Sequence, residues 1–538
     1  MTRVLHDLLI HSAKRFPTKP AIFHKNESLT YEQILRKSKR LCIILRENGI
    51  ARSDRVAFYL EKRFEKVISI FGISMVGGVI VPVRRLLQPH QVAHIVSDSS
   101  AKVLITTYAR LASLQDHISD LPTLHTIIAL DKKSANEINV KNIEVIDWQE
   151  ALNSCTQEPI IENQVIETDM ATILYTSGST GQPKGVVLSH LNIVAGAKKV
   201  SEYLKINEND RLLSILTFSF DYGLNQLTSA FLHGAQLVLL DYLFIHDIIK
   251  AVEKYKITGL AAVAATWNQL LQSSWHGDSI PSLRYITNTG GKIPENNVRE
   301  LRRRLPNAAI YLMYGLTEAF RSTYLDPQLV DARPTSIGKA IPGEEILVLN
   351  EEGRPVKPGD VGELVHRGVL VAQGYWNEPE LTAVRFRPNP LQPEEVPVRE
   401  LVVFSGDQVR LDKEGFLYFV GRKDEMIKCA GNRVSPTEVE GVIHASKKIQ
   451  DAIVIGIPDN IYGEVIKAIV VPRPSVNTNE KELLSHCKKF LPPYMIPKFI
   501  EFRKELPCNA NGKLDRAKVK KEILESLKSQ SSSELIEQ

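Results

Sequence analysis

The sequence predicts an α/β protein with a large N-terminal region of doubly wound sheets, a β-rich subdomain after it, and a small α+β unit at the C-terminal end. Three observations predict this class. Short apolar, β-branched runs alternate with helical periodicity through the first part of the chain, which favours parallel βαβ units. From Ile337 onward glycine and proline become frequent and the strand-like runs become short. Near Gly421 a last change in composition indicates the start of the small α+β unit.

The helices are predicted from apolar spacing and from their start signals. An apolar repeat over residues 5–16 predicts an opening amphipathic helix. Thr30 begins a capping box with Gln33, and that helix is expected to end at Gly49. In the last unit Ser435 caps a helix that starts with a proline. The predicted strands are 55–60, 79–81, 103–106, 171–174, 186–188, 212–216, 236–240, 260–263, 285–287, 310–313, 345–349 and 362–365.

Length and composition describe an ordinary protein of two or more domains. A chain of 538 residues, 43% hydrophobic and 24% charged, can bury large cores. The formal net charge of +5 gives no argument for nucleic acid or membrane binding, and the three arginines at 302–304 are predicted to be a solvated helix face. Glycine and proline interrupt the apolar run 67–83, so a helix followed by a strand explains it better than a membrane span.

Cysteine usage and the N-terminus indicate where the protein works. The five cysteines are scattered, odd in number and without metal-ligand spacing, so reduced thiols are expected. The first residues contain polar and acidic breaks where a signal peptide needs an apolar core. Both features predict a cytoplasmic protein.

One stretch, residues 175–185, combines glycines, hydroxyls and a single lysine between two predicted strands. Glycines let the backbone turn its N–H groups towards a ligand, and hydroxyls and a lysine add donors without negative charge, which suits a polyphosphate. The Walker pattern does not fit, because no Ser or Thr follows the lysine and a strand is predicted next. A solvent-exposed Ser/Gly hairpin loop is the alternative. The candidate phosphate-binding residues are Thr176, Ser177, Gly178, Ser179, Thr180, Gly181 and Lys184.

This stretch resembles the phosphate loop of the adenylate-forming superfamily, which includes acyl-CoA ligases, luciferases and the adenylation domains of nonribosomal peptide synthetases. The resemblance covers nearly the whole chain and returns in order at 289–294, 314–318, 405–407, 421–424 and 506–516. It implies an enzyme that uses ATP and Mg²⁺ to activate a carboxylate and then transfers the acyl group to a thiol. It also implies a large N-terminal adenylation domain over 1–422 and a small rotating domain over 423–538.

Such an enzyme must hold the nucleotide, neutralise its phosphates and place the carboxylate in line with the α-phosphate. Tyr314 offers a flat face for adenine, Thr317 a hydroxyl for the α-phosphate, and Glu318 a hard oxygen for Mg²⁺. The resemblance implies these same roles, and it places Gly290 and Gly291 beside the adenine ring. The alternative is that Tyr314 merely packs and Glu318 caps a helix.

Three charged residues around the predicted domain boundary receive roles from the resemblance. Asp407 would accept hydrogen bonds from the ribose hydroxyls, and Arg422 would contact ribose or phosphate. Asp424 would be the hinge about which the small domain rotates between two half-reactions. Taken singly, a Gly-Asp pair is more often a turn, and Asp424 an ordinary linker residue.

Two lysines of the small domain complete the predicted site. Lys513 matches the lysine that bridges the substrate carboxylate and the α-phosphate, where charge accumulates in the transition state. Lys428 matches a position that faces the active site after the rotation and assists the second half-reaction. Any lysine taken singly is more often a surface residue.

Asp221, directly after Phe220, bears on the choice of acid. A fatty-acyl ligase is not expected to bury an unpaired carboxylate in its acyl pocket. Amino-acid adenylating domains carry an aspartate after a phenylalanine at the matching place, where it pairs with the substrate ammonium. The serine and tryptophan that usually follow are replaced by Gly223 and Asn225, which leaves the pocket shape open. An aspartate that caps a helix at the rim is the alternative.

The chain looks most like freestanding prolyl-type amino-acid:carrier-protein ligases and a group of exosortase-associated acyl-CoA ligases. No carrier domain follows Lys513, so the thiol is expected from a separate carrier protein or from CoA. Three hypotheses stay open. The first is an enzyme that adenylates a small amino acid, with L-proline the best candidate. The second is an AMP-forming acyl-CoA ligase for an apolar or aromatic acid. The third is a nucleotide-binding protein without catalysis.

Overall fold

The structure is a computed structural model of the 538-residue chain. It describes residues 2–119, 121–131, 140, 142–155, 165–177, 183–273, 275, 280–423, 425–429, 432–459, 463–474, 476–509 and 512–534. The fold is α/β, with sheets and helices in a large N-terminal part and a smaller α+β unit towards the C-terminal end, as the sequence predicts.

The helices of the described residues are α1 (Leu5–Arg15), α2 (Tyr31–Glu47), α3 (Phe64–Met75), α4 (Pro89–Asp98), α5 (Tyr108–Ile118), α6 (Trp148–Ser154), α7 (His190–Leu204), α8 (Asp221–His233), α9 (Ile245–Lys254), α10 (Ala264–Gln272), α11 (Glu295–Arg304), α12 (Pro379–Arg385), α13 (Pro436–Ala445), α14 (Glu480–Phe490) and α15 (Arg516–Glu534).

The strands of the same residues are β1 (Pro20–His24), β2 (Glu27–Thr30), β3 (Arg55–Tyr59), β4 (Val79–Pro82), β5 (Val103–Thr107), β6 (Thr126–Leu130), β7 (Glu144–Asp147), β8 (Met170–Ser177), β9 (Pro183–Ser189), β10 (Arg211–Ser214), β11 (Gln236–Leu239), β12 (Gly259–Val263), β13 (Tyr285–Thr289), β14 (Ala309–Tyr314), β15 (Thr323–Tyr324), β16 (Lys339–Ala340), β17 (Glu345–Leu349), β18 (Val361–Arg367), β19 (Gly374–Tyr375), β20 (Phe386–Pro388), β21 (Leu401–Leu411), β22 (Leu417–Arg422), β23 (Ile427–Cys429), β24 (Asn432–Val434), β25 (Ile449–Asp459), β26 (Gly463–Pro472) and β27 (Phe499–Phe502).

Two large sheets form the N-terminal part. One has the strand order β16-β15-β14-β13-β12-β10-β11-β1-β2, and the other has the order β19-β9-β8-β4-β3-β5-β6-β7. The inner neighbours β12, β13 and β14 run parallel, as do β3, β4 and β5, so the predicted βαβ units are present. Helices α1, α2, α3, α7 and α8 bury apolar residues in one core that both sheets share.

The predicted start signals form as local hydrogen bonds. Thr30 N–H donates to Gln33 Oε1 at 2.8 Å and Gln33 N–H donates to Thr30 Oγ1 at 3.2 Å, which is the capping box of α2. Gly49 follows the end of this helix with φ of +74°, where an L side chain would be strained. Glu438 N–H donates to Ser435 Oγ at 3.3 Å at the start of α13. These predictions are therefore confirmed.

The later sheets are smaller. Strands β17, β18, β21 and β20 form an antiparallel sheet on which β22 also pairs, and this is the predicted β-rich subdomain. The last unit has the order β24-β23-β26-β25 with β27 on β26. Alternate residues of β25 face opposite ways: Ala452 and Val454 pack with α13 and α14, whereas Ile453 and Ile455 pack with α15.

The arginine run 302–304 lies on α11, and the apolar run 67–83 forms a helix and a strand. Arg303 pairs with Glu300 and its side chain is 65% exposed, as expected for a solvated face. Arg304 pairs with the same carboxylate, but its side chain is 16% exposed and donates to the Ser273 carbonyl at 2.8 Å. The run 67–83 is the greater part of α3 followed by β4. In the part of the chain that the structure describes, every helix is too short or too polar to cross a bilayer.

A buried histidine predicts how stability depends on pH. His190 begins α7, its Nδ1 accepts Leu5 N–H at 3.1 Å, and burial lowers the pKa of His190 to about 3. In the unfolded chain its pKa is about 6.5, so from pH 6.5 down to pH 3 the unfolded state alone takes up this proton. The contribution of neutral His190 to the free energy of unfolding is therefore complete above pH 6.5. It falls by about 1.4 kcal/mol per pH unit between pH 6.5 and pH 3.

We expect the His190→Asn variant, whose side-chain oxygen can accept the same bond, to lose stability less steeply between pH 6.5 and pH 3. Melting temperatures measured across this range check it. His125→Asn is the matched control, because that histidine lies in a part-buried contact with Thr126 and carries no comparable burial. If the melting temperatures of His190→Asn and of the parent fall by the same amount between pH 6.5 and pH 3, the prediction is wrong.

Candidate active site

The predicted phosphate-binding stretch, residues 175–185, includes the facing ends of β8 and β9, the two antiparallel strands of a hairpin. Strands β8 and β9 pair with Thr176 opposite Lys184, and Thr176 Oγ1 donates to the Lys184 carbonyl at 3.4 Å. Ser177 is described by its backbone alone. The remaining predicted loop residues, Gly178, Ser179, Thr180 and Gly181, lie outside the described residues. The hairpin thus brings Lys184 and Thr176 to the same end of the sheet.

Lys184, Glu318 and Tyr375 meet beside this hairpin. Strand β19 pairs with β9, which puts Tyr375 opposite Val186. The Lys184 ammonium lies 5.0 Å from the centre of the Tyr375 ring, and Tyr375 Oη donates to Glu318 Oε1 at 2.6 Å. Burial lowers the pKa of Lys184, and the Glu318 charge opposes this. A cation and a carboxylate therefore flank one tyrosine.

The residues predicted for adenine and ribose also come together. Tyr314 at the end of β14 donates its hydroxyl to Asp407 Oδ2 at 2.5 Å. Asp407 Oδ1 is buried and accepts no hydrogen bond from any described residue, although Arg422 Nη1 lies 3.7 Å away. Burial raises the pKa of Asp407, and Arg422 opposes this. A buried acceptor without a donor suits a ribose hydroxyl, which would supply one.

Lys513 of the small unit reaches this site. Its ammonium lies 5.8 Å from the centre of the Phe220 ring, and a Cβ placed on Gly290 would be 2.7 Å from Lys513 Cε. Gly290 has φ of +78°, and the Gly291 carbonyl next to it accepts from the Asn288 amide at 2.9 Å. Burial lowers the pKa of Lys513, while Asp221 and Asp407 oppose this. The glycine leaves the space that the lysine stem fills.

Asp221 has a partner that the sequence did not indicate. It is the first residue of α8 and 3% exposed, and its Oδ2 accepts from Arg321 Nη1 at 2.5 Å. Thr317 Oγ1 donates to Asp221 Oδ1 at 3.3 Å. Arg321 is 2% exposed and packs over the Tyr222 ring at 4.9 Å. The expected carboxylate therefore lies beside Thr317, but as one member of a buried ion pair.

Besides the contact of Lys513 with Gly290 and Phe220, the small unit contacts the large part through polar side chains. Arg473 Nη2 donates to Asn297 Oδ1 at 3.2 Å, and Asn297 Nδ2 donates to Asn268 Oδ1 at 2.8 Å. Asn268 also hydrogen bonds the Asp451 carboxylate. These bonds join β25 and the residue after β26 to α10 and α11, and they accompany the orientation that brings Lys513 to Gly290.

We expect Arg473→Ala to slow acyl-adenylate formation about threefold to tenfold, because one hydrogen bond to a charged group that supports the Lys513-inserted orientation is lost. Transfer from supplied acyl-adenylate to the thiol should keep its rate. Rapid-quench measurement of the two half-reactions checks this. Arg503→Ala is the control, since Arg503 pairs with Glu501 and Glu522 within the small unit. An equal loss in both half-reactions would indicate a general loss of stability instead.

Two predicted residues are not placed by side-chain geometry. Lys428 lies on β23 and is described by its backbone alone, opposite Arg433 of β24. Asp424 lies outside the described residues. Their assignments as second half-reaction lysine and hinge stay predictions.

The donor set at Glu318 fits Mg²⁺. A Mg²⁺ ion in a nucleotide site uses one or two carboxylates together with phosphate oxygens and waters. Among the described residues no group of three or more His, Cys, Asp or Glu side chains could hold a metal by itself. Glu318, beside Lys184, would hold the ion with the phosphates, and the bound ion would neutralise phosphate charge. Lys184 and Lys513 would add positive charge at the phosphates, and Asp407 would orient the ribose.

Sequence reasoning missed Tyr375 and left Arg321 without a role. Tyr375 meets Glu318 from 57 residues away, and no local pattern signals that contact. Arg321 follows Phe320 and precedes Ser322 and Thr323, and no local pattern there indicates that its partner is Asp221.

Two family models and several curated relatives match most of the chain. The model of the AMP-binding enzyme family matches residues 9–376, and the model of the AMP-binding enzyme C-terminal domain matches residues 438–513. A long-chain-fatty-acid–CoA ligase of Bacillus subtilis is 30% identical over 97% of this chain and 95% of its own length. Gramicidin S synthase 2 of Brevibacillus brevis is 28% identical over 96% of this chain, which corresponds to 11% of that protein.

Solved structures share the fold. The o-succinylbenzoate CoA synthetase of Bacillus subtilis, in complex with its acyl-adenylate intermediate, is 26% identical with a TM-score of 0.81, over 95% of this chain and 97% of that one. An anthranilate CoA ligase in complex with anthranoyl-AMP has a TM-score of 0.87 at 24% identity, over 96% of each chain. The family-model match and the 30% identical relative show that the chain belongs to the AMP-binding enzyme family and is an ATP-dependent, AMP-forming ligase.

Proposed function

We propose that the acid is a small amino acid, with L-proline the first candidate, and that the acceptor is the phosphopantetheine thiol of a separate carrier protein in the cytoplasm. The observation that carries this proposal is the buried Asp221 carboxylate. It lies against Thr317 and within the electrostatic reach of Lys513, so it is next to the place where a substrate carboxylate would react. Arg321 pairs with one oxygen of this carboxylate, and the lone pairs that remain on Asp221 could accept a hydrogen bond from an ammonium group of the substrate.

The aromatic side chains on either side of Asp221 would favour a small acyl group. Phe220 and Tyr222 are both buried, with ring centres 6.1 Å apart in an edge-to-face arrangement, and Tyr222 is held by a hydrogen bond to Thr287. The apolar ring of proline could pack on such faces while its nitrogen turns towards Asp221. In this proposal Phe220 and Asp221 bind the substrate, Lys513 bridges carboxylate and phosphate, and Lys428 assists thiol attack.

A second candidate is an AMP-forming acyl-CoA ligase for an apolar or aromatic acid. The Asp221–Arg321 ion pair favours it, because the pair is neutral as a whole and the pocket then carries no uncompensated negative charge. The fatty-acyl ligase among the relatives is in line with this alternative.

ATP–pyrophosphate exchange across a panel of acids separates the two candidates. Exchange with proline or another small amino acid supports the first, and exchange confined to fatty or aromatic acids supports the second. The acceptor is then tested by supplying the accepted acid with ATP and either CoA or a phosphopantetheinylated carrier protein, and by following thioester formation. Thioester on CoA alone would overturn the carrier-protein proposal while leaving the choice of acid intact.

A further inference from the structure

The hydrogen-bonding capacity of Asp221 is already half used. A carboxylate offers about four lone-pair sites. Arg321 Nη1 occupies one on Oδ2 at 2.5 Å, and Thr317 Oγ1 occupies one on Oδ1 at 3.3 Å. About two sites therefore remain for a substrate.

Arg321 is held so that it cannot turn away from Asp221. Its Nη1 also donates to the Phe320 carbonyl at 2.8 Å, and its guanidinium lies over the rings of Tyr222 at 4.9 Å and Phe320 at 5.5 Å. The side chain is 2% exposed. Releasing it would leave two buried charges unpaired, so the pair persists when substrate binds.

Acceptors are scarce on the Arg321 side of the pair. Arg321 Nε and Nη2 are buried and have no hydrogen-bond acceptor among the described residues. A substrate N–H that approaches Asp221 must share its oxygens with Arg321 Nη1, which already donates to Oδ2. The pocket is suited to a nitrogen with few N–H groups.

We propose that Arg321 is a specificity-determining residue: by occupying one side of Asp221 it makes the acyl pocket favour an acid with a secondary ammonium over an acid with a primary ammonium. A secondary ammonium, as in proline, carries two N–H donors and matches the two sites that remain. A primary ammonium carries three, and its third N–H stays unpaired or displaces Thr317, which costs binding. This inference rests on the proposed amino-acid substrate, and Arg321 acts through Asp221 as a positioning residue.

The test is ATP–pyrophosphate exchange with three acids of similar size: L-proline, L-2-aminobutyrate and cyclopentanecarboxylate. They present a secondary ammonium, a primary ammonium and no nitrogen. The parent enzyme should prefer proline. Arg321→Met frees one side of Asp221 and restores its full charge, so the KM for L-2-aminobutyrate should fall about tenfold relative to that for proline, with kcat changing less.

A double variant keeps the inference testable if Arg321→Met does not fold. Asp221→Asn together with Arg321→Met removes both buried charges, an exchange that buried ion pairs tolerate better than the loss of one partner. This variant should lose exchange with both amino acids and gain exchange with cyclopentanecarboxylate. An unchanged proline preference in the double variant would overturn the inference.

Arg333→Met is the matched control, because Arg333 pairs with Asp412 and Glu414 in another part of the chain. It should leave the preference among the three acids unchanged. If the ratio of the KM values for proline and L-2-aminobutyrate is the same in folded Arg321→Met as in the parent, Arg321 does not determine specificity. The proposed amino-acid function is not affected by that result. If the parent instead exchanges cyclopentanecarboxylate better than either amino acid, the proposed amino-acid function fails.

Discussion

Replacing Lys513 by alanine is expected to slow acyl-adenylate formation by about 10²–10³-fold while leaving ATP binding nearly unchanged. Lys513 is the cation of the small unit that enters the site, next to Gly290 and Phe220. Charge grows on the carboxylate and the α-phosphate only in the transition state, so a cation fixed there lowers the barrier more than it strengthens nucleotide binding. ATP would still be held by Lys184, Tyr314 and Asp407.

Two measurements check this expectation together. Single-turnover pyrophosphate release gives the adenylation rate, and calorimetry gives ATP affinity. Lys518→Ala is the control, since Lys518 is an exposed lysine near the start of α15. If Lys513→Ala adenylates as fast as the parent, Lys513 is not the bridging lysine. If ATP affinity falls in proportion to the rate, its role is nucleotide binding rather than stabilisation of the transition state.

Gly290→Ala is expected to slow adenylation by about 10–100-fold without removing any charged group. The new methyl group would lie 2.7 Å from Lys513 Cε, closer than two carbon atoms can approach, so the end of the lysine side chain must shift from its present place. Its φ of +78° adds backbone strain. Transfer of the acyl group from supplied adenylate to the thiol does not need Lys513 in this place and should keep its rate.

Gly415→Ala separates the two effects of that substitution. Gly415 has φ of +82°, but the nearest atoms to a new Cβ, on Lys339, are 3.9 Å away. Gly415→Ala should therefore have a lower melting temperature because of backbone strain, as Gly290→Ala does, but it should adenylate at the normal rate. Were Gly290→Ala to slow both half-reactions equally, the clash with Lys513 would not be the cause.

Much of the fold could be predicted because its signals are local. The Thr30 and Gln33 capping box lies within four consecutive residues, and strands such as β17 and β12 are short apolar runs between turn residues. Strand ends were less accurate: the predicted strand 212–216 ends at Ser214, because the chain leaves the sheet there and turns towards the start of α8. Periodicity gives the type of an element, while its last residue depends on what the chain meets next.

The acyl pocket could be predicted only in part. Asp221 was identified from its own neighbours in sequence, yet its partner Arg321 lies 100 residues away on a different element. A lone aspartate predicts a negatively charged pocket, whereas the pair makes a neutral one. The net charge around Asp221 could therefore be predicted only once the contact between α8 and the chain after β14 was known.

The amino-acid sequence by itself determined the α/β class and many of the helices and strands, because these depend on periodicity, caps and residue types within short windows. The nucleotide-binding motifs were assigned by their resemblance to the adenylate-forming superfamily. The tertiary structure alone decided which side chains face one another: Tyr375 with Glu318, Lys513 with Gly290, and Arg321 with Asp221. These contacts join distant segments, and their energy comes from burial and charge pairing, which no local pattern in the chain encodes.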